Sequence, residues 1–374
     1  MMSHAIQSHF ASISDKRQLG KIEHSLIDII TLCICGVVAG ADGWSDIEEF
    51  GLTHQKWLQN KGLLANGIPV DDTIARVMSS LDPTEFQSSF ISWMNSLSVA
   101  TEGEVIAIDG KTLRHSFDNK TRKSAIHMVS AFASGNGVVL GQIKTAEKSN
   151  EITAIPALLK LLDIKGSIVT IDAMGCQKKI TQKIIEESAD YVIAVKGNQK
   201  TLYDDIKYFF NESEKQHYKS VNFDYHEEVD KGHGRIETRR YWLTSHLECL
   251  AKPEKWFGLQ CIGMAENETL RNGKITIERR YFISSLSDDA KTFARAVRSH
   301  WGIENSLHWV LDMSFREDES RIRKNNGAEN FAVVRHLALN LLKKEKTHKR
   351  GMKGKRYKAA LDISYAEKVL SPIL

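Results

Sequence analysis

The sequence has no C-x-x-C pair and only five cysteines, Cys33, Cys35, Cys176, Cys249 and Cys261, at irregular spacing. An odd number without a repeated interval suggests neither a disulfide framework nor a thiolate zinc site. No apolar run is long enough for a bilayer. The most apolar stretch, LIDIITLCICGVVAGA (residues 26–41), falls short of the ~20 residues a span needs and carries Asp28. It reads as a buried helix, and with no signal peptide evident a reducing cytoplasm is the expected location. Net charge is only +4 over 374 residues, so the total selects no polyanionic partner. A nucleotide-binding motif is also missing. Gly110-Lys111-Thr112 resembles the end of a phosphate-binding loop, but that loop needs a glycine where Val105 stands.

What is present is ordinary in bulk, 42% hydrophobic and 26% charged residues, in a chain long enough for two or three domains. Residues 1–100 show helical periodicity, with Ser45 and Glu48 at capping-box spacing, and read as a compact helical domain. The period changes at residue 104. Strands are expected in EVIAIDG, SAIHMVSAFAS, GVVLGQIKT, GSIVTIDAMGC and DYVIAVKGN. Helices are expected at 150–163 and 178–189, between the third, fourth and fifth strands. The order β-β-β-α-β-α-β predicts a mixed sheet with helices on its faces. Short alternating runs between about 200 and 286 suggest an inserted β-rich lobe. A long capped helix then runs from Asp288 past Glu304, followed by an amphipathic helix. The chain ends in residues 343–374. Within them KKEKTHKRGMKGKRYK carries nine Lys or Arg against one Glu, and reads either as a solvated tail or as a contact to phosphates.

Asp109 and Asp172 share a context: each follows an apolar β run and precedes a Gly within three residues. On neighbouring strands the two carboxylates would lie together and repel, and a hard divalent cation, Mg²⁺ or Mn²⁺ rather than zinc, would relieve that repulsion. The alternative is that each Asp caps a turn. A third acid is expected from Glu304, flanked on its helix by His300, Trp301, Leu307 and His308 and therefore poorly solvated. Asp312, Glu317 and Asp318 compete for that role. A salt bridge from Glu304 to Arg298 or Arg335 is the plainer reading.

Several long motifs then make the chain resemble the DDE transposases of the ISAs1 insertion-sequence family, which include the H-repeat-associated proteins of enteric bacteria. They are LIDIITLCICGVVAGADGWSDIEEFG, IAIDGKTLRHS, TIDAMGCQ, DYVIAVKGNQ, DKGHGRIETRRYW and RSHWGIENSLHWVLDMSFREDESR, in that order over nearly the whole chain. The resemblance implies an RNase H-like catalytic domain over 101–342, with a five-stranded mixed sheet flanked by helices and the insertion at 200–286. It also implies a catalytic and metal-binding triad of Asp109, Asp172 and Glu304. In the family scheme, two metal ions, Mg²⁺ with Mn²⁺ as substitute, lie about 4 Å apart. One activates water or a DNA 3′-hydroxyl and the other stabilises the leaving oxygen. One departure stands out. Related transposases carry Tyr, Arg and Lys around the glutamate, where this sequence has Val297, His300 and Leu311.

The expected partners are DNA, both the element's terminal inverted repeats and the target, and further copies of the chain on DNA, with no membrane. The location is bacterial cytoplasm, at the nucleoid. Candidate DNA contacts are Lys111, Arg114, Lys120, Arg122 and Lys123 between the first two strands, with Lys196, Asn198 and Gln199 after the fifth. Lys231, His233, Arg235, Arg239 and Arg240 add to these in the lobe. The N-terminal helical domain is a candidate for end recognition or for packing. Two other readings stay open: a metal-dependent DNA nuclease without strand transfer, and a domesticated or inactive relative that only binds DNA.

Overall fold

The computed structural model describes residues 5–97, 102–117, 124–145, 151–219, 221–232 and 234–374. Six helices come first: α1 (Ala5–Phe10), α2 (Leu26–Val38), α3 (Trp44–Thr53), α4 (Gln55–Asn60), α5 (Asp71–Ser80) and α6 (Pro83–Leu97). The apolar run forms α2, capped by Ser25, whose hydroxyl accepts from the Asp28 N–H, and every residue from Ile29 to Val38 is buried. The expected Ser45–Glu48 cap is displaced. Helix α3 begins at Trp44, and Asp46 Oδ2 accepts from the Asp42 and Gly43 N–H groups. Glu48 instead accepts from the Asp71 N–H at the start of α5.

Nine strands form one sheet in the order β3-β2-β1-β4-β5-β9-β8-β7-β6. The first five are β1 (Val105–Leu113), β2 (Ile126–Ala133), β3 (Val138–Lys144), β4 (Ile168–Ile171) and β5 (Asp190–Val195). The last four are β6 (Asp224–Gly232), β7 (Arg235–Thr244), β8 (Cys261–Arg271) and β9 (Lys274–Ser284). Only the β1–β4 and β4–β5 pairings are parallel. The short runs after residue 200 do form a β-rich insertion, but not a lobe apart from the sheet. β9 pairs antiparallel with β5, Val192 opposite Ser284, and the four added strands continue the same sheet. Strand β6 escaped the sequence reading because its polar residues, DYHEEVDKG, lie exposed on an outer edge.

Helices α7 (Glu151–Leu159), α8 (Lys178–Glu186) and α9 (Lys200–Lys215) pack against one face of the sheet. The other face receives α10 (Ala290–Ile303), which lays Phe293, Ala294 and Ala296 on Val105, Ile168, Val192 and Phe282. Its continuation holds a π turn, Glu304–His308, before α11 (Trp309–Phe315). Such turns recur at functional sites.

The N-terminal helices and the C-terminus share one core. Helix α12 (Gly327–Lys344) packs on α2, α5 and α6, and its Asn330 donates to the Met78 and Leu81 carbonyls at the end of α5. Asn340 bonds both the N–H and the carbonyl of Val139, covering the outer edge of β3. Residues 343–374 are not a basic tail either. They form α13 (Met352–Leu361) and α14 (Ile363–Leu370), which pack on α12 and α2. The reason lies in Arg356, whose side chain is 7% exposed and donates to the Val37, Ala41 and Ser314 carbonyls and to Asp42. It satisfies carbonyls at the negative end of α2, and its guanidinium lies 4.4 Å from the Phe315 ring. Lys355 likewise donates to the Leu342 and Glu345 carbonyls.

Arg356→Ala would deprive the Ala41 and Ser314 carbonyls and Asp42 of their buried donor, so unfolding in urea should show a loss of roughly 3 kcal/mol or more. Arg356→Lys should recover little of it, because one ammonium cannot reproduce the fork. Stability within about 0.5 kcal/mol of the parent would mean that Arg356 is an ordinary surface cation.

Candidate active site

The parallel register of β1 and β4 builds the site. Ile108 pairs with Ile171, and there the ladder stops. The next residues are Asp109 and Asp172, brought side by side at the ~4.8 Å spacing of neighbouring strands. Strand β1 does not end at Asp109, as the sequence suggested. It continues to Leu113 against β2, with Asp109 opposite Ser130. By strand alternation Asp109, Lys111, Asp172 and Lys196 all point to the face that α10 covers. Asp172 also performs the turn-capping role, since its Oδ1 accepts from the Met174 and Gly175 N–H groups, at 2.9 and 3.4 Å.

Burial pushes the Asp109 carboxyl up to about 7, and the neighbouring charges of Asp172, Glu151 and Glu304 push in the same direction. Asp172 is also raised, by burial and by Glu151, against the pull of its two N–H donors and Lys196. Among the described residues no Lys or Arg forms an ion pair with either Asp; His308 Nδ1 stands 3.5 Å from Asp109 Oδ2. Burial and the Lys111 charge hold His308 down at about 4, so at neutral pH this is a polar contact between a carboxyl and a neutral ring.

Glu304 lies at the start of the π turn. It is exposed rather than poorly solvated, and it pairs with neither Arg298 nor Arg335. With Asp172, Lys196, His300, Trp301 and Arg280 it lines a cleft of about 390 Å³. His300 fastens this helix to β4 through its Nδ1 and the Thr170 hydroxyl, 3.1 Å apart, two residues before Asp172. Burial lowers His300 to about 4, so it is a neutral hydrogen-bonding ring at neutral pH.

Sequence reasoning missed Glu151. It opens α7 on the opposite face of β1, where its Oε1 lies 2.7 Å from His127 Nε2. A side chain at Gly110 would collide with both groups, so the glycine between Asp109 and Lys111 is a condition of this approach. The signal was an acid in the first turn of a helix that the sequence did predict. The hard oxygen donors and their mutual repulsion suit a divalent cation. The groups nevertheless share a field and not a closed coordination shell: among the described residues no three His, Cys, Asp or Glu side chains converge on one point.

The DNA-contact candidates divide. Lys196 is exposed in the cleft, Arg114 is 76% exposed while paired with Asp318 at 3.1 Å, and Arg235 is exposed at the β6–β7 hairpin. Asn198 and Gln199 instead donate to the Ala173 and Cys176 carbonyls, clipping the loop after β5 to the loop after β4. Arg239 is buried against Glu237, and Arg240 pairs with Glu227, Glu266 and Glu268 across the strands. Lys111, the expected phosphate contact, faces inward and is 12% exposed. It binds Asp312, and Glu317 at 2.8 Å. Asp312 and Glu317, two other candidates for the third acid, are thus both engaged by Lys111. Lys120, Arg122, Lys123 and His233 lie outside the described residues.

Glu317 is 2% exposed, and Lys111 and Arg335 overcome its burial to hold it below its ordinary 4.5. A depressed carboxyl contributes stability above its unfolded value and loses it as pH falls through the folded one. In Lys111→Ala, burial dominates and the same carboxylate becomes a cost at neutral pH. Urea unfolding should therefore show a deficit of roughly 3 kcal/mol at pH 7 that shrinks toward pH 4. A deficit that stayed constant with pH would rule out the ion pairs as its origin.

The family described as Transposase DDE domain matches residues 100–341, and the description DDE_Tnp_1-associated matches residues 7–94. "Putative transposase YncI" of Escherichia coli O157:H7 is 48% identical over 375 residues, 99% of this chain and 95% of its own. "H repeat-associated putative transposase YhhI" of Escherichia coli K12 is 45% identical over 379 residues, 98% and 97% of the two chains. A piggyBac transposase synaptic complex with hairpin DNA aligns with all of this chain and 79% of its own. Its identity is 13% and its TM-score 0.43, too distant to bear on the site. With one profile spanning the sheet and its acids, a second the N-terminal helices, and relatives alike from end to end, the chain belongs to the DDE-domain transposases of the H repeat-associated kind.

Proposed function

We propose that this protein cuts the ends of an insertion element and joins them to target DNA, at the acids where β1 and β4 part. The observation that carries this is the Ile108–Ile171 register, which sets Asp109 beside Asp172 beneath the cleft that holds Glu304. The order β3-β2-β1-β4-β5, with its parallel centre, supports an RNase H-like core for residues 101–342. Asp109, Asp172 and Glu304 would hold Mg²⁺ or Mn²⁺, whose chemistry is to activate a water or a 3′-hydroxyl and to stabilise the leaving oxygen. Asp172 is pre-oriented by its two N–H donors, which leave Oδ2 free. His308 abuts Asp109, while His300 fixes the Glu304 helix on β4. Lys196 stands at the cleft to meet phosphate. The reaction would proceed on paired DNA ends held by more than one copy of the chain, in the bacterial cytoplasm at the nucleoid. The N-terminal helices would serve end recognition from a position packed on the catalytic half.

A second assignment of the third acid has a specific support. Glu151 adds to the repulsion at both aspartates, whereas Glu304 stands exposed. Loss of a ligand removes several kcal/mol of transition-state stabilisation, about two orders of magnitude or more in rate. Asp109→Asn and Glu304→Gln should each lose Mg²⁺-dependent nicking of labelled element-end DNA to that extent. Both should melt near the parent temperature, and Asp312→Asn and Glu151→Gln should still nick. A dead Glu151→Gln beside an active Glu304→Gln would move the third ligand to α7. Nicking by Asp109→Asn at the parent rate would overturn the reading.

A further inference from the structure

Two helices begin beside each other without a capping side chain. Helix α8 starts at Lys178 after Gln177, and α9 at Lys200 after Gln199; neither glutamine accepts from the first turn. Each helix therefore opens with a lysine at the positive end of its own dipole, where an anion is the favoured charge. Two more lysines, Lys252 and Lys255, arrive from the segment before β8. All four line one cavity of about 300 Å³, walled by Trp256 and Leu202. The Lys178 ammonium stands 6.0 Å from the centre of the Trp256 ring. Among the described residues none of the four forms an ion pair, and the acid on the wall, Asp205, is engaged by the Ala251 N–H at 3.0 Å. The crowding is felt: Lys252 and Lys178 push the Lys255 ammonium down. Elsewhere on this protein clustered cations are interleaved with glutamates, as on β7 and β8. Here three chain segments converge four lysines around a single wall acid, Asp205, and none of the four pairs with it.

We infer that this cavity binds backbone phosphates of the DNA strand that passes through the catalytic cleft. Its position ties it to the proposed reaction, on which the inference rests. The bonds from Asn198 to Ala173 and from Gln199 to Cys176 join the segments that separate cleft from cavity. Lys196 lies on the cleft side, Lys178 and Lys200 on the cavity side. Lys196 and Lys200 are four residues apart, at most about 14 Å of chain. At ~3.4 Å of axis per phosphate on one strand, the cavity holds DNA a few phosphates from the cut. Contacts of this kind fix the register of a duplex without reading its sequence.

The test neutralises three lysines that take no part in the chemistry. The Lys178→Gln, Lys252→Gln, Lys255→Gln triple variant and the parent chain are titrated with random duplex and with element-end duplex over a range of salt. The slope of log affinity against log salt should become shallower by about 2 to 3, equally on both duplexes. Methylphosphonate substitutions within a few phosphates of the cut should weaken binding by the parent and leave the variant indifferent. An unchanged slope would overturn the inference. So would a variant that loses affinity for inorganic phosphate, measured by calorimetry, while its DNA slope stays that of the parent: the cavity would then serve a free anion. Asp109→Asn in the same titration keeps the two readings apart, because it should bind with the full slope and cut nothing.

Discussion

The structure depends on one constraint: two carboxylates of like charge must be held side by side, half-buried, with no Lys or Arg among the described residues paired to either. A loop would let them drift apart. Here each follows an apolar strand, and the strands are locked in parallel register with Ile108 opposite Ile171. The separation of Asp109 and Asp172 is thus set by backbone hydrogen bonds. The cost of that arrangement is visible in Asp109, pushed up to about 7, and it is the kind of cost that marks functional sites. The helix that carries Glu304 is fastened to the same strand at Thr170.

Around this acidic centre the protein uses its cations from within. Lys111 sits two residues along β1 from Asp109, yet it pairs with Asp312 and Glu317 beyond the site and with neither Asp109 nor Asp172. Arg356 closes the end of α2 from a helix more than 300 residues away. The N-terminal helices, α12 and the last two helices are therefore one body, built against the outer edge of β3. The N-terminal helices and the half that carries the sheet thus share one core.

Much of this was legible in local sequence. Strands β1 to β5 and helices α7 and α8 announce themselves by period and by turn residues, and the shared context of Asp109 and Asp172 exposed the pair. Glu304 was singled out from its helical neighbours as poorly solvated, which the fold does not bear out, and then again by resemblance. What local sequence could not supply was long-range pairing. A run of nine cations reads as solvated because charge is rarely buried. Lys355 and Arg356 are buried because carbonyls from distant helix ends wait for them. The residues after 200 read as an inserted β-rich lobe, and nothing nearby reveals that β9 will pair with β5. Glu151 was overlooked because an acid in a first helical turn has a sufficient local reason to be there. Only the fold brings it up to Gly110 and His127.

The central claim is that Asp109 and Asp172 form a cation site at the end of the β1–β4 ladder. Anomalous scattering from crystals of the full chain soaked in Mn²⁺ tests it directly. The account predicts a peak bridging the two carboxylates, within ligand distance of both. Manganese bound elsewhere, with the two aspartates occupied by protein cations or turned apart, would contradict it.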